Sequence, residues 1–162
     1  MRLIKLAFIS ILLLFFVVTA ISLLIPSDIR ISKAINIHSG EDSIFALIRD
    51  TTKWKQWHPA FISNDSATAF PQIHIVQQSE SDSEIVMHLQ QGDKPEVVNG
   101  WKIYQYPHVD SLTLQWYMDF HLKWYPWQKL GSMLYEKTYG TMMEKGLENI
   151  KNRVENGQDH SF

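Results

Sequence analysis

The chain reads as an α+β domain, an antiparallel sheet packed on a long carboxyl-terminal helix, preceded by one transmembrane helix. Three observations predict this. Leu6 to Ile25 is a run of twenty residues without a charge. Several later stretches alternate apolar and polar residues with period two, as strands with one buried face do. From Gln128 to about Glu155 the apolar residues recur at helical spacing instead.

The apolar run comes first. At about 1.5 Å per residue, a helix of that length covers roughly 30 Å, the thickness of a hydrocarbon core, with its backbone hydrogen bonds satisfied internally. Arg2 and Lys5 ahead of the run, with Val18-Thr19-Ala20 inside it, also fit a cleaved secretory signal. Cleavage after Ala20 would leave Ile21-Ser22-Leu23-Leu24-Ile25 on the new terminus, and that greasy remnant favours an uncleaved anchor crossing the membrane at residues 6–25. Arg2, Lys5 and the terminal amine on one side stand against Arg30 and Lys33 on the other, read here as amino end inside and domain extracytoplasmic. The expected organisation is a single-pass membrane protein: an anchor over 1–27, one domain over 28–156 and a short polar tail over 157–162.

The portion after the anchor is the length of one domain with a single core, and no Gly/Ser linker or repeat divides it. The formal net charge is −2 with acids and bases interspersed, so there is no electrostatic footprint for nucleic acid and no such partner is expected. The absence of cysteine excludes disulfides and thiolate metal sites.

Ile29, Ile31, Ile35 and Ile37 alternate with Arg30, Ser32, Asn36 and His38, which marks the first strand. Lys33 interrupts the apolar face: its stem can pack while the ammonium reaches solvent at the sheet's edge, or it can stand at a pocket mouth. Ser39 and Asp42 are spaced like a capping box, and Ile44, Phe45, Leu47 and Ile48 form one stripe of a short helix. Asp50 then caps a second helical turn that carries Trp54 and Trp57 and stops at Pro59.

From Pro71 the period returns to two, with Ile73 and Ile75 on one strand and Ile85, Met87 and Leu89 on the next. A turn centred on Ser81 sets Ile75 opposite Met87 and His74 opposite His88. Two imidazoles across a strand pair can ligate a metal, but the sequence places no third ligand, so neither metal nor other cofactor is expected. A further hairpin runs from Val97 to Tyr106 and from Leu112 to Lys123 around Pro107-His108-Val109-Asp110. Its register sets Trp101 against Trp116 and Ile103 against Leu114, two indoles side by side on the inward face. Along the strands the inward positions read as apolar apart from Lys33, Gln77 and Gln105, so no catalytic acid/base pair can be named.

Trp124, Tyr125 and Trp127 surround Pro126, where aromatics can rim a pocket or sit at a membrane interface, packing at a helix entrance being the ordinary reason for them. One long helix follows, with Met133, Gly140, Met143, Leu147, Ile150 and Val154 along a single stripe. Gly140 and Gly146 each cost about 1 kcal/mol against alanine inside a helix, which points to close approach of a neighbouring surface or to an intentional gap.

This order of elements, with particular residues, resembles the START-like helix-grip superfamily that includes polyketide cyclases/dehydrases and birch-pollen-allergen-like lipid carriers. The resemblance rests on the first strand, on Ile44-Phe45-Ala46-Leu47-Ile48-Arg49-Asp50, and on the spaced Trp54, Trp57 and Pro59. At the other end it rests on Tyr125-Pro126 and on Glu144-Lys145-Gly146-Leu147-Glu148-Asn149-Ile150-Lys151, with its Gly-Leu and Asn-hydrophobic-Lys steps. Together they cover about half of the domain. The sequence departs at His38-Ser39-Gly40, where many relatives carry a small residue and a proline, and in a middle section short for the usual number of strands. In that family a curved sheet wraps the last helix and leaves an apolar cavity, which the resemblance places under Trp101, Trp116, Met118, Gly140 and Met143. Methionines and polarizable rings suit adaptable binding of an apolar molecule.

Three functions follow as expectations. The first is a membrane-tethered module binding or shuttling a hydrophobic small molecule or lipid in that cavity. The second is a polyketide cyclase/dehydratase-like enzyme, for which no catalytic residue can be named. The third is a protein-interaction module of the same fold, whose partner the sequence does not identify. No nucleophile motif, phosphate loop or dinucleotide fingerprint is present.

Overall fold

The computed structural model describes residues 2–62, 73–92 and 95–156. The start of the second strand at Pro71 and the tail 157–162 lie outside the described residues. Helix α1 (Arg2–Leu23) is long and apolar enough to cross a membrane and is almost wholly exposed. After it come β1 (Asp28–Ile37), α2 (Glu41–Arg49), a 3-10 turn (Thr51–Lys53), α3 (Trp54–Trp57) and α4 (Pro59–Ile62). Then come β2 (Ile73–Ser81), β3 (Glu84–Gln91), β4 (Val97–Gln105) and β5 (Leu112–His121). The chain closes with α5 (Pro126–Ser132), a π turn (Glu136–Gly140) and α6 (Thr141–Asn156). The architecture is α+β, with one antiparallel sheet in the order β1-β5-β4-β3-β2.

Alternation in β5 buries Leu112, Leu114, Trp116, Met118 and Phe120 toward the helices, and β1 adds Ile31 and Ile37. The register between β4 and β5 is the expected one, Trp101 opposite Trp116 and Ile103 opposite Leu114. Between β2 and β3 it is not. The turn there is Asp82-Ser83, Ile75 pairs with Leu89, and a bulge after Ile75 slips the strand by one, so Gln77 faces His88. His74 therefore pairs with Gln90, and His88 takes Glu96 as its partner instead.

The short helices use the chain's own polar groups. The residue at the start of α2 is Gly40, without a side-chain cap, rather than Ser39. Glu41 and Asp42 supply negative charge to the first turn. Asp50 does cap the next turn, accepting from Thr52 N at 3.0 Å. Trp54 and Trp57 donate their indole N–H groups to Ile48 O and Leu47 O at 2.8 and 3.1 Å, which ties α3 to the end of α2. Pro59 ends α3 and also opens α4.

The last helix is broken where one continuous rod was expected. Gly131 and Ser132 precede a turn at Met133–Leu134, then a π turn leads into α6. Both interior glycines answer to close approach. A Cβ on Gly140 would stand 3.0 Å from Lys33 Cε, and one on Gly146 would stand 2.6 Å from Trp116 Cζ3. Lys33 packs its stem past Gly140 and holds Glu136 and Glu144 at 2.8 and 2.9 Å. The hydrogen bond to Glu136, then that to Glu144, raises its pKa and fixes the charge.

Candidate functional site

The sheet and the short helices bring six rings together. β4 and β5 place Trp101 and Trp116 opposite each other with centroids 5.5 Å apart and planes at 29°. From the helical side, Trp54 and Trp57 approach Trp101 at 5.9 and 6.3 Å, and Trp57 meets Trp116 edge-on at 5.7 Å. His58, between α3 and α4, stacks on Trp54 at 5.5 Å and meets Trp116 at 5.2 Å; Phe61 closes on His58 at 5.1 Å. Edge-to-face and offset contacts of this kind add about 0.5–1.5 kcal/mol each beyond area burial.

The polar atoms in this cluster are few, which makes each one diagnostic. Three of its four indole N–H groups have acceptors: Ile48 O, Leu47 O and, for Trp116, Asn99 Oδ1 at 3.2 Å. The fourth, Trp101 Nε1, is fully buried and has none among the described residues. A buried donor left unpaired costs about 1–3 kcal/mol. His58 is 7% exposed, and burial pushes its pKa down to about 4. Its Nδ1 accepts the Ala60 N–H at 3.2 Å, so the neutral ring carries its proton on Nε2 as a second donor. Among the described residues Nε2 has no hydrogen-bond partner.

At the end of the sheet nearest α1, where Asp28 pairs with His121, a cleft lies at the surface. Phe120 meets Tyr135 at 4.9 Å and Tyr139 at 4.8 Å, and the cleft, of about 150 Å³, is bounded by Val97, Phe120, Leu122, Gln128, Tyr135 and Tyr139. Burial raises the pKa of the Tyr139 hydroxyl, keeping it neutral.

No family model matches this sequence, and no curated protein does. Solved structures do. A START superfamily protein from Mycobacterium smegmatis is 19% identical, with a TM-score of 0.55 over 78% of this chain and 97% of that one. The di-domain ARO/CYC StfQ from the steffimycin biosynthetic pathway is 9% identical, with a TM-score of 0.58 over 82% of this chain and 52% of its own. Hypothetical protein jhp0584 from Helicobacter pylori is 9% identical, with a TM-score of 0.55 over 79% of this chain and 89% of that one. The chain has a START-like helix-grip fold. At these identities the likeness concerns architecture alone.

Within this helix grip, Trp101, Trp116, Met118 and Met143 belong to one buried cluster. Gly140 stands apart from the rings, buried against Lys33 and Glu136. Two polar residues escaped the sequence reading. Asn99 shares the inward parity of Trp101 on β4, so alternation alone marks it, and the set of inward polar positions is corrected to include it. Gln77 leaves that set because the β2 bulge shifts it out of line with Met87, and Gln105 is exposed at the strand's end. His58 lies in a joint between two four-residue helices, where neither period applies.

Proposed function

We propose that this chain is a single-pass, membrane-anchored helix-grip domain on the extracytoplasmic side that binds or shuttles a hydrophobic small molecule or lipid. Trp101, Trp116, Met118 and Met143 line the binding region between the sheet and the carboxyl-terminal helices, and Gly140 lies at its Lys33 edge. The observation that carries this reading is the Trp101 N–H, buried among rings with no acceptor among the described residues. An apolar guest bearing a carbonyl or hydroxyl oxygen would satisfy it, and in a dry aromatic setting that one bond would orient the guest. The cleft beside Phe120 and Tyr139 supports a route in from the end where α1 leaves the domain. Because Trp101, Trp116 and Met143 are fully buried, a guest enters by displacing side chains, and the flexible methionines are the ones that yield.

His58 supports a second, cyclase/dehydratase-like reading, since it is the titratable group within the ring cluster. With its pKa near 4 it is a weak base at neutral pH and has no coupled acid in the cluster, so it serves better as a donor to a guest than as a catalyst.

Native mass spectrometry of the full chain extracted in mild detergent tests the binding reading. The expected result is a co-purifying apolar molecule containing oxygen, with occupancy reduced in Trp101→Phe, which keeps a ring but loses the donor. Protein recovered empty from its native membrane, or occupancy equal in the variant, would overturn it.

A further inference from the structure

Helix α5 is amphipathic the wrong way round for water. Its buried side carries Lys129 and Ser132, 6% and 5% exposed, beside Pro126. Its outward side carries Trp127, and the turn that follows presents Met133 and Leu134; these are 66%, 71% and 65% exposed. Trp124, also 66% exposed, continues the surface through Tyr125, whose ring lies 5.0 Å from Trp124 and stacks on Trp127 at 4.9 Å and 7°. A helix of a water-soluble domain turns its apolar stripe inward, and an exposed patch of large apolar side chains marks an interaction surface.

What sits against this surface follows from where α5 is held. α5 packs on α1, and Lys129 Nζ donates to Ile25 O at 2.8 Å, just past the carboxyl end of that helix. The buried polar side of α5 is thus spent on the exit of the anchor, with Ser132 Oγ returned to Lys129 O at 2.6 Å. A 22-residue helix rises about 33 Å, so when α1 crosses a bilayer its last turn stands at the headgroup boundary. Whatever is bound to that turn stands there too. Tryptophan prefers this depth, where its ring is in the acyl boundary and its N–H in the headgroups.

We infer that α5 and its flanks, through Trp124, Trp127, Met133 and Leu134, lie in the lipid interface and hold the domain flat on the membrane. The inference rests on the anchored reading of α1 and adds a second, independent lipid contact. It also sets the mouth of the cleft at the lipid surface, since Gln128 of α5 is one of its walls.

The test uses the full chain in phosphatidylcholine vesicles carrying acyl chains brominated near the headgroup. α1 contains no tryptophan, so indole quenching reports the domain alone, and vesicle flotation reports the anchor separately. Two of six tryptophans lie in the patch, so roughly a third of the emission is expected to be quenched by bromolipid. That fraction should vanish in the Trp124→Phe/Trp127→Phe variant, which floats like the parent and keeps its circular dichroism. Floating protein whose patch is quenched by aqueous acrylamide and not by bromolipid would overturn the inference while leaving the anchor intact. Shielding of the patch from both quenchers, as a second copy or another protein would cause, would also overturn it. Failure to float would remove the anchored reading and this one with it.

Discussion

Four tryptophans of this chain are buried and two are not, and the two sets differ in what holds them. Trp54, Trp57, Trp101 and Trp116 are fixed by ring contacts on several sides, and three of their four N–H groups are bonded. Trp124 and Trp127 are each two-thirds exposed, with Tyr125 as their ring partner among the described residues, beside the short helix that α1 braces. The same residue type thus serves cohesion in one place and stands on the surface in the other. The buried set is unfinished at one atom, Trp101 Nε1, and the exposed set is unfinished over its whole face.

The largest expected effect lies in the buried set. Trp116→Ala should cost about 3–5 kcal/mol in chemical denaturation, because it removes a ring packed against Trp57, His58, Trp101 and Gly146. A loss below that of an exposed tryptophan would break the comparison.

His58 gives the next effect through pH. Its folded pKa, near 4, lies below the unfolded value of 6.5, so the unfolded state binds the proton more readily. The stability it contributes is therefore complete above pH 6.5 and is lost as pH falls toward 4, by about 3 kcal/mol over the window. Denaturation midpoints from pH 7 to 4 should show His58→Phe losing less stability than the parent; parallel curves would mean the imidazole is not desolvated.

Gly146→Ala should cost about 1–3 kcal/mol, since its methyl runs into the Trp116 ring. Gly131→Ala, with open space around it on the exposed side of α5, should instead gain about 0.5–1 kcal/mol from helix propensity. Thermal melts of the pair distinguish a packed glycine from a tolerated one. A finer contrast is Trp116→Phe against Trp101→Phe. The first strands Asn99 Oδ1 in the core while the second removes a donor that had no acceptor, so the first should be worse by about 1 kcal/mol. Smallest of all, Trp127→Ala should change stability by no more than about 0.5 kcal/mol.

The sequence carried most of the sheet and little of the site's polar chemistry. Unbroken alternation in β5 has only one register that buries Leu114, Trp116 and Met118 together, so the Trp101–Trp116 pair was readable in advance. In β2 a bulge shifts the pairing by one, and nothing in Ile73-His74-Ile75-Val76-Gln77 announces it, so the histidine pair dissolved. The break after α5 was hidden because Gly131-Ser132 is compatible with a helix until packing decides otherwise. The outward direction of Trp127 depends on which side α1 occupies, a tertiary fact that spacing does not encode. His58 was invisible for a similar reason, since its burial comes from four rings on other elements and on its own turn.

The most direct test of the proposed guest site watches the Trp101 indole proton itself. In full-length protein embedded in nanodiscs and labelled with 15N-tryptophan, the Trp101 resonance is identified by its loss in Trp101→Phe. On adding an extract of native membrane lipids, this proton should move downfield as an oxygen acceptor reaches it, while the Trp116 proton, already bonded to Asn99, stays in place. A Trp101 signal that remains unshifted while the extract binds, or four core indole signals that all ignore it, would contradict a guest between sheet and helix.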